Sequence, residues 1–426
     1  MDIHVVQSGD TPASIARRYG VTDEQIIRDN EIEDPSRLVV GQTLVIMYPD
    51  EVYTVEPGDS LYTIAIEHDV SIQNILQNNP SIIGRDVMPG EELVISYEGE
   101  KLGDITVNGY AYPYIDREVL IRTLPYLTYI SIFTYGFTPE GELIDIDDEE
   151  IIALAREYGV APLMQVSTYS EAGEFDSELA SGLLNNEEAQ NNLIENIMEN
   201  LAAKNYYGLD IDFEYIFPED REAFINFVEK VTNRAHEEGY EVMIALAPKT
   251  SADQPGLLYE AHDYARLGQI VDWALLMTYE WGYTYGPPMA VAPYNEVREV
   301  LDYAITDIEP RIIRLGIPNY GYDWTLPFVQ GESRAIVVGN VGAVDLAREE
   351  NVAIEFDEEA RAPFFTYYDD ERREHIVWFE DARSIDAKLR LIDEYGLNGA
   401  SYWTIMRPFP QNWLVMISLY DIIKLI

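Results

Sequence analysis

Tyr207-Gly208-Leu209-Asp210-Ile211-Asp212-Phe213-Glu214 alternates large apolar residues with acids, and the rest of the chain is read outward from it. On an extended strand the side-chain period is two. Asp210, Asp212 and Glu214 therefore share one face, and Leu209, Ile211 and Phe213 share the other. The spacing alone is weak evidence in a chain with 77 Asp and Glu, because Asp145, Asp147 and Glu149 repeat it. That second triple runs into the helical stretch EEIIALAREYG and reads as a solvated helix start. The 210–214 run differs in its bulky apolar intervals, which place it in a buried strand. Neighbouring buried carboxylates are costly unless protons or hydrogen bonds relieve them, so such a strand is a candidate for chemistry. Like charges stacked this way raise the pKa of at least one member, and Glu214 is expected to hold its proton near neutral pH.

On both sides of this strand, from Asp104 onward, strand and helix patterns alternate. The strands are DITVNGYAY, LTYISIFTYGF, APLMQVST, YGLDIDFEYI, EVMIALAPK, VDWALLMTYEW, IIRLGIPNYGY and GASYWTI. Between them lie stretches such as NNLIENIMENLAAKN and REAFINFVEKVTNRAHEEG, with apolar residues at i, i+3 and i+4. Gly159, Gly239 and Gly396 stand where helices end. Eight such units predict an α/β fold, a (β/α)8 barrel over residues 99–426. One helix is replaced by a small α+β insertion after strand seven, at about 326–380, carrying the β-like runs FFTYY and HIVWF. In such a barrel the ladder's apolar face packs on helices, and its acids rise toward the mouth at the strands' C-terminal ends.

The N-terminal part repeats. Val6-Gln7-Ser8-Gly9-Asp10-Thr11 recurs as Val55-Glu56-Pro57-Gly58-Asp59-Ser60, 49 residues later. At the same offset Ile15-Ala16 matches Ile64-Ala65, Val21 matches Val70, Asn30 matches Asn79 and Gly41 matches Gly90. Each unit reads strand, helix, helix, strand, with the Gly-Asp-Thr/Ser turn capping the first helix. The units, residues 1–49 and 50–98, resemble LysM modules, which bind N-acetylglucosamine-containing glycans. The resemblance places a binding groove at Gly9, Asp10, Thr11 and Asn30, and at Gly58, Asp59, Ser60 and Asn79. The stretch YEGEKLG, from Tyr97, reads as the linker to the barrel.

Composition narrows the partners. Against the 77 acids stand 28 Lys and Arg, a formal charge of −49. Such a surface repels a phosphate backbone, so nucleic acid is not an expected partner. Self-repulsion of this size is screened by salt, which suggests adaptation to high ionic strength. With no Cys there is no disulfide, thiol nucleophile or zinc-cysteine site. No metal and no cofactor are expected. No run of 18 apolar residues is present, so no membrane span is expected. MDIHVVQSGDTP lacks the basic start and apolar stretch of a secretory signal.

YGLDIDFE resembles the DxxDxDxE signature of family 18 glycoside hydrolases, the chitinase-like barrel enzymes. The resemblance implies that Glu214 is the general acid. It implies that Asp212 orients the substrate's own 2-acetamido group as nucleophile, with Asp210 as supporting acid. Met277-Thr278-Tyr279-Glu280 resembles the family's Met-x-Tyr-Asp motif, which makes Tyr279 a donor to the acetamido oxygen. Trp403 matches the tryptophan that floors the sugar site, and Gly316-Ile317-Pro318-Asn319-Tyr320-Gly321 fits strand seven. Glu280, Asn319, Tyr110, Gln165 and Met277 are placed with Trp403 as substrate-binding residues. Two positions depart from the family pattern: Tyr207 stands for the signature's first Asp, and Glu280 for the Asp after the tyrosine. Two LysM-like units ahead of such a barrel resemble spore-cortex-lytic N-acetylglucosaminidases. They imply hydrolysis of peptidoglycan glycan, by a monomer associated with the spore or the cell wall. A chitinase on chitin oligomers and a non-catalytic glycan-binding wall protein are the alternatives.

Overall fold

The structure is a computed structural model that describes residues 1–169 and 173–426. Eight parallel strands close a barrel in chain order: β1 (Gly103–Ala111), β2 (Tyr129–Phe137), β3 (Ala161–Ser167), β4 (Gly208–Asp212), β5 (Glu241–Leu246), β6 (Trp273–Leu276), β7 (Ile313–Pro318) and β8 (Gly399–Trp403). Pairing of β8 with β1, and of β1 with β2, completes the ring. Helices pack outside it, as the 3.6-residue periodicity requires. Glu187–Lys204 shows why one forms. The Asn186 side chain accepts from the Glu188 and Ala189 amides, an apolar stripe from Ala189 to Leu201 is buried, and Asn205 ends the helix in the left-handed conformation. Gly239 and Gly396 are left-handed C-caps, and Gly159 follows one residue after the Tyr158 cap.

β4 has the expected parity. Asp210 and Asp212 point into the barrel, while Leu209 and Ile211 join the apolar layer under the helices. Phe213, just past the strand, stacks on Phe137, Phe224 and Phe227 at centroid distances of 5.6, 6.0 and 5.5 Å. Burying rings of this size stabilises by about 1.5–3 kcal/mol each and fixes the height of β4 against its neighbours. The second acidic triple is indeed superficial at Asp145, which pairs with Lys204 at 2.7 Å.

The insertion begins earlier than 326. It leaves β7 directly as Gly321–Thr325 and forms a five-stranded antiparallel sheet with Ile336–Val338, Glu355–Asp357, Ala362–Tyr368 and Glu374–Trp378, plus the helix Asn340–Glu349. Only Asn319 and Tyr320 separate it from β7, and Tyr322 and Trp324 are buried.

Each N-terminal unit is a two-stranded antiparallel sheet with two helices and its own small core. The units are seated on the barrel, with no slack tether between. Tyr97 ends the last strand of the second unit, and Leu102 N–H already bonds Leu419 O at 2.7 Å. In the second unit Gln77 Nε2 donates to Pro125 O (2.8 Å) and Tyr126 Oη donates to Gln77 O (2.9 Å). The first unit docks on the insertion. Val39 is buried with Ala343, Ala347, Ile354 and Phe365. Ile354 N–H donates to Val40 O (2.9 Å), and Arg348 Nε donates to Arg37 O (3.0 Å). Among the described residues, no helix is long and apolar enough to cross a membrane.

The repeat supplies an internal control for this docking. Gly41 and Gly90 have φ of +89° and +90°, so an added methyl is strained by about 1 kcal/mol at either site. At Gly41 the new Cβ would also lie 1.9 Å from Ile354 O, whereas at Gly90 nothing lies within 4 Å. Gly41→Ala is expected to lower stability by about 1–3 kcal/mol more than Gly90→Ala in thermal or urea unfolding. Equal losses would show that the first unit does not dock in solution.

Candidate active site

The acids occupy successive levels of the barrel lumen. Asp210 is 0% exposed and Asp212 is 4% exposed. Beneath them a polar layer crosses the barrel: Asn108 Nδ2 donates to Ser401 Oγ (2.9 Å), and Ser131 Oγ donates to Asn108 Oδ1 (3.3 Å). Lower still, Arg314 on β7 is fully buried, its guanidinium 4.1 Å from the Tyr129 ring centroid and 5.0 Å from that of Trp273. Tyr207 belongs to this closed end, edge-on to Tyr129, its hydroxyl 3.4 Å from Glu241.

Burial dominates the electrostatics. It pushes Asp210 up to about 6, against the pull of the Ser131 and Tyr110 hydroxyls and the Arg314 charge. Asp212 is driven well above its ordinary value by burial, then by the charges of Glu214 and Asp210, although Gln165 Nε2 donates to its Oδ2 at 2.9 Å. Glu214, half-buried two residues beyond β4, is pushed up to about 8 by burial and then by Glu280. The acids thus cannot all ionise together near neutral pH, and the outermost keeps its proton.

Tyr279, buried after β6, feels the charges of Asp212, Glu214, Glu280 and Asp210. An added Cβ at Gly316 on β7 would lie 2.8 Å from its ring, so the bare backbone there makes room for it. Glu280 accepts from Tyr320 Oη and from Tyr322 Oη (3.0 Å). It is exposed on the cleft wall, yet the protein around its carboxyl pushes its pKa up, against those two hydrogen bonds. Tyr215 and Glu280, which follow Glu214 and Tyr279, both have positive φ (55° and 67°). Non-glycine residues are strained there by about 1 kcal/mol, which is common where side chains are aimed at a site. Trp403 ends β8 with its edges against Tyr110 (5.4 Å) and Phe133 (5.0 Å). The cleft above has a volume of about 530 Å³, with Trp403, Glu280, Tyr112, Tyr320 and Arg407 among its walls.

The structure therefore brings Asp210, Asp212, Glu214, Tyr279, Trp403 and Glu280 to one mouth. The other expected contacts have different partners. Gln165 is fully buried and holds Asp212. Tyr110 is buried beneath Trp403, near Asp210. Met277 is packed in the core. Asn319 spends its amide on the carbonyls of Thr404 (3.0 Å) and Arg407 (2.9 Å), tying the loop after β8 to β7. Sequence reasoning missed Phe133, Tyr112, Tyr320, Tyr322 and Arg407. The tyrosines at 320 and 322 had a signal, alternate positions on a run continuing β7, and the others had none. Among the described residues, no group of three or more His, Asp or Glu is placed to hold a metal.

In the N-terminal units the repeated polar residues serve the turns. Asn30 Nδ2 donates to Ile26 O and Val45 O, and its Oδ1 accepts from Val45 N–H; Asn79 makes the same clamp with Ile75 and Val94. Asp10 accepts from Gln7 N–H and faces His4 (2.9 Å), while Asp59 accepts from Glu56 N–H and Tyr53 Oη. Thr11 and Ser60 cap the first helices. Gly9, Thr11, Gly58 and Ser60 stay exposed, whereas Asn30 and Asn79 are buried.

Comparison with known proteins agrees with this fold. The family profile "Glycosyl hydrolases family 18" matches residues 123–407, and the LysM domain profile matches residues 4–46 and 53–96. The cortical fragment-lytic enzyme of Bacillus subtilis (strain 168) is 47% identical over 430 residues, covering 100% of this chain and 99% of that protein. The crystal structure of the spore cortex-lytic enzyme SleL from Bacillus megaterium QM B1551 superposes with a TM-score of 0.85. It has 37% identity and covers 100% of this chain and 99% of that one. A chitinase structure from Chromobacterium violaceum, at 22% identity and TM-score 0.69, shares the fold.

A carboxyl whose pKa rises from 3.8 unfolded to about 6 folded binds more protons in the native state between those values. Its penalty is absent below pH 4 and grows as pH rises through 6. Asp210→Asn is therefore expected to stabilise the protein at pH 8 by on the order of 2–3 kcal/mol in urea unfolding, with the gain vanishing near pH 4. A gain independent of pH would contradict the electrostatic account.

Proposed function

From the premise that the chain belongs to glycoside hydrolase family 18 and carries two LysM domains, we propose that it hydrolyses the β-1,4 bond on the reducing side of N-acetylglucosamine in bacterial peptidoglycan, the glycan of the spore cortex. The observation that carries this reading is the gathering of Glu214, Asp212 and Tyr279 at the barrel mouth, close enough to feel one another's charges, with burial pushing the Glu214 carboxyl up to about 8. The full-length likeness to cortical fragment-lytic enzymes supports the choice of glycan.

The chemistry follows from the charges. An N-acetylglucosamine unit rests on Trp403, whose ring face suits the axial C–H face of a pyranose. Glu214 gives its proton to the glycosidic oxygen as the bond breaks. The acetamido oxygen of the same sugar attacks the anomeric carbon, so the nucleophile belongs to the substrate and configuration is retained. Asp212, held by Gln165, accepts the acetamido N–H and balances the positive charge that develops on the closing ring. The Tyr279 hydroxyl donates to the acetamido oxygen and orients it. Glu214, now ionised, then takes a proton from the water that opens the ring. Asp210, fully buried below, acts on Asp212 through its charge, which helps raise the Asp212 pKa.

We assign residues 1–49 and 50–98 to glycan-binding modules and 99–426 to the catalytic barrel with its insertion. Because the modules are seated on the barrel, they present glycan in a fixed direction, a rigid form of the local concentration that tethering supplies. The enzyme acts as a monomer at the cortex or wall.

Glu214→Gln tests the reading. It removes the proton that the leaving oxygen needs and is expected to lower kcat on purified cortex by about 10²-fold or more, while the protein still sediments with insoluble wall. Mass spectrometry of wild-type products should show N-acetylglucosamine at the new reducing end. Full activity in Glu214→Gln, or turnover of chitin oligomers but not of cortex, contradicts it.

A further inference from the structure

The cleft wall carries one basic side chain among the described residues, Arg407, in the loop after β8. The chain has 77 acids for 28 bases, and half-buried arginines such as Arg298 and Arg234 pair with carboxylates, Glu394 at 2.7 Å and Glu238 at 2.6 Å. Arg407 is exposed, and among the described residues no carboxylate lies within 4.0 Å of its guanidinium. Glu280, the acid on the same cleft, is engaged by Tyr320 and Tyr322. An unneutralised cation thus faces the cleft of a molecule of net charge −49.

The position is also built. Asn319 Nδ2 holds the carbonyl of Arg407 at 2.9 Å and that of Thr404 at 3.0 Å, and Asn340 Nδ2 donates to Asn319 Oδ1 at 3.3 Å. Asn319 and Asn340 are both buried, so barrel and insertion together fix the loop. The arginine stem then crosses Gly339, where an added Cβ would lie 3.0 Å from Arg407 Cδ and 3.8 Å from Nε. A side chain at 339 would push the stem out of its path. Near it along the wall stand Trp403, Met406 and Val337, apolar surface against which a sugar ring can lie.

We propose that Arg407 is a specificity residue, reading a carboxylate carried by the sugar that adjoins the N-acetylglucosamine on Trp403. This deepens the reading above and rests on it. Peptidoglycan alternates N-acetylglucosamine with a hexosamine bearing an ether-linked lactyl carboxylate, free or extended by an acidic peptide. A guanidinium takes a carboxylate through two parallel hydrogen bonds, a geometry lysine cannot copy. The same charge meets the difficulty of an anionic polymer approaching an acidic enzyme, because it places an attractive contact on the cleft wall.

The test compares Arg407→Gln and Arg407→Lys with the wild type on three substrates: peptidoglycan with its peptides, the same glycan stripped of peptides so that only the lactyl carboxylate remains, and neutral N-acetylglucosamine oligomers. Arg407→Gln is expected to raise KM about 3–10-fold on the stripped glycan with kcat unchanged, and to leave the neutral oligomers unaffected. Arg407→Lys should recover part of the loss. Amidating the lactyl carboxylate should raise the wild-type KM and abolish the difference from Arg407→Gln. A loss confined to the peptide-bearing glycan assigns the carboxylate to the peptide. Equal losses on charged and neutral substrates, or no loss on either glycan, overturn the proposal. Failure of the wild type to cut any peptidoglycan overturns the functional reading instead.

Discussion

The constraint on which everything else depends is desolvation of neighbouring carboxyls inside a closed barrel. Water would let Asp210, Asp212 and Glu214 ionise independently near their usual values. The lumen denies them that, and burial is the largest influence on all three. Protons are retained as a result, and the outermost carboxyl, the one a leaving oxygen can reach, retains one at neutral pH. The fold performs this by geometry: period-two alternation on β4 sends the acids inward and the Phe213 side outward into a stack of aromatic rings.

The same logic explains the supporting parts. Polar groups inside the barrel are arranged in layers, from Arg314 at the floor through Asn108, Ser131 and Ser401 to the acids. Asn319 joins β7 to the loop after β8, so the insertion, Trp403 and Arg407 form one hydrogen-bonded wall. The first LysM unit closes against that insertion and the second against the loop before β2. Binding modules and cleft are therefore parts of one body, and their relative direction is a property of the enzyme.

Much of this was legible in the sequence, for identifiable reasons. Period two exposed the acid face of β4, and a 49-residue offset exposed the two units. What stayed hidden depended on contacts distant along the chain. Asn319 reads as a mouth residue, but its role is set by carbonyls 85 and 88 residues away. Asn30 and Asn79 recur at the offset, yet recurrence does not separate a clamp that closes each unit from a group that touches glycan. Their buried amides turned out to hold strands. Gln165 likewise reads as a sugar contact, and its neighbour is Asp212. Gly321–Thr325 follows β7 after only Asn319 and Tyr320, which shifted the start of the insertion. An isolated arginine such as Arg407 has no periodicity to betray it, and its place on the cleft wall emerges only in three dimensions.

The central claim is that the enclosure keeps Glu214 protonated. Infrared difference spectroscopy of the full chain, with Glu214→Gln subtracted, follows its carboxyl C=O stretch directly as pH is varied. The account predicts a band present at pH 7 and lost with a midpoint near 8. A midpoint between about 4 and 5, the range of a solvated glutamate, would contradict it.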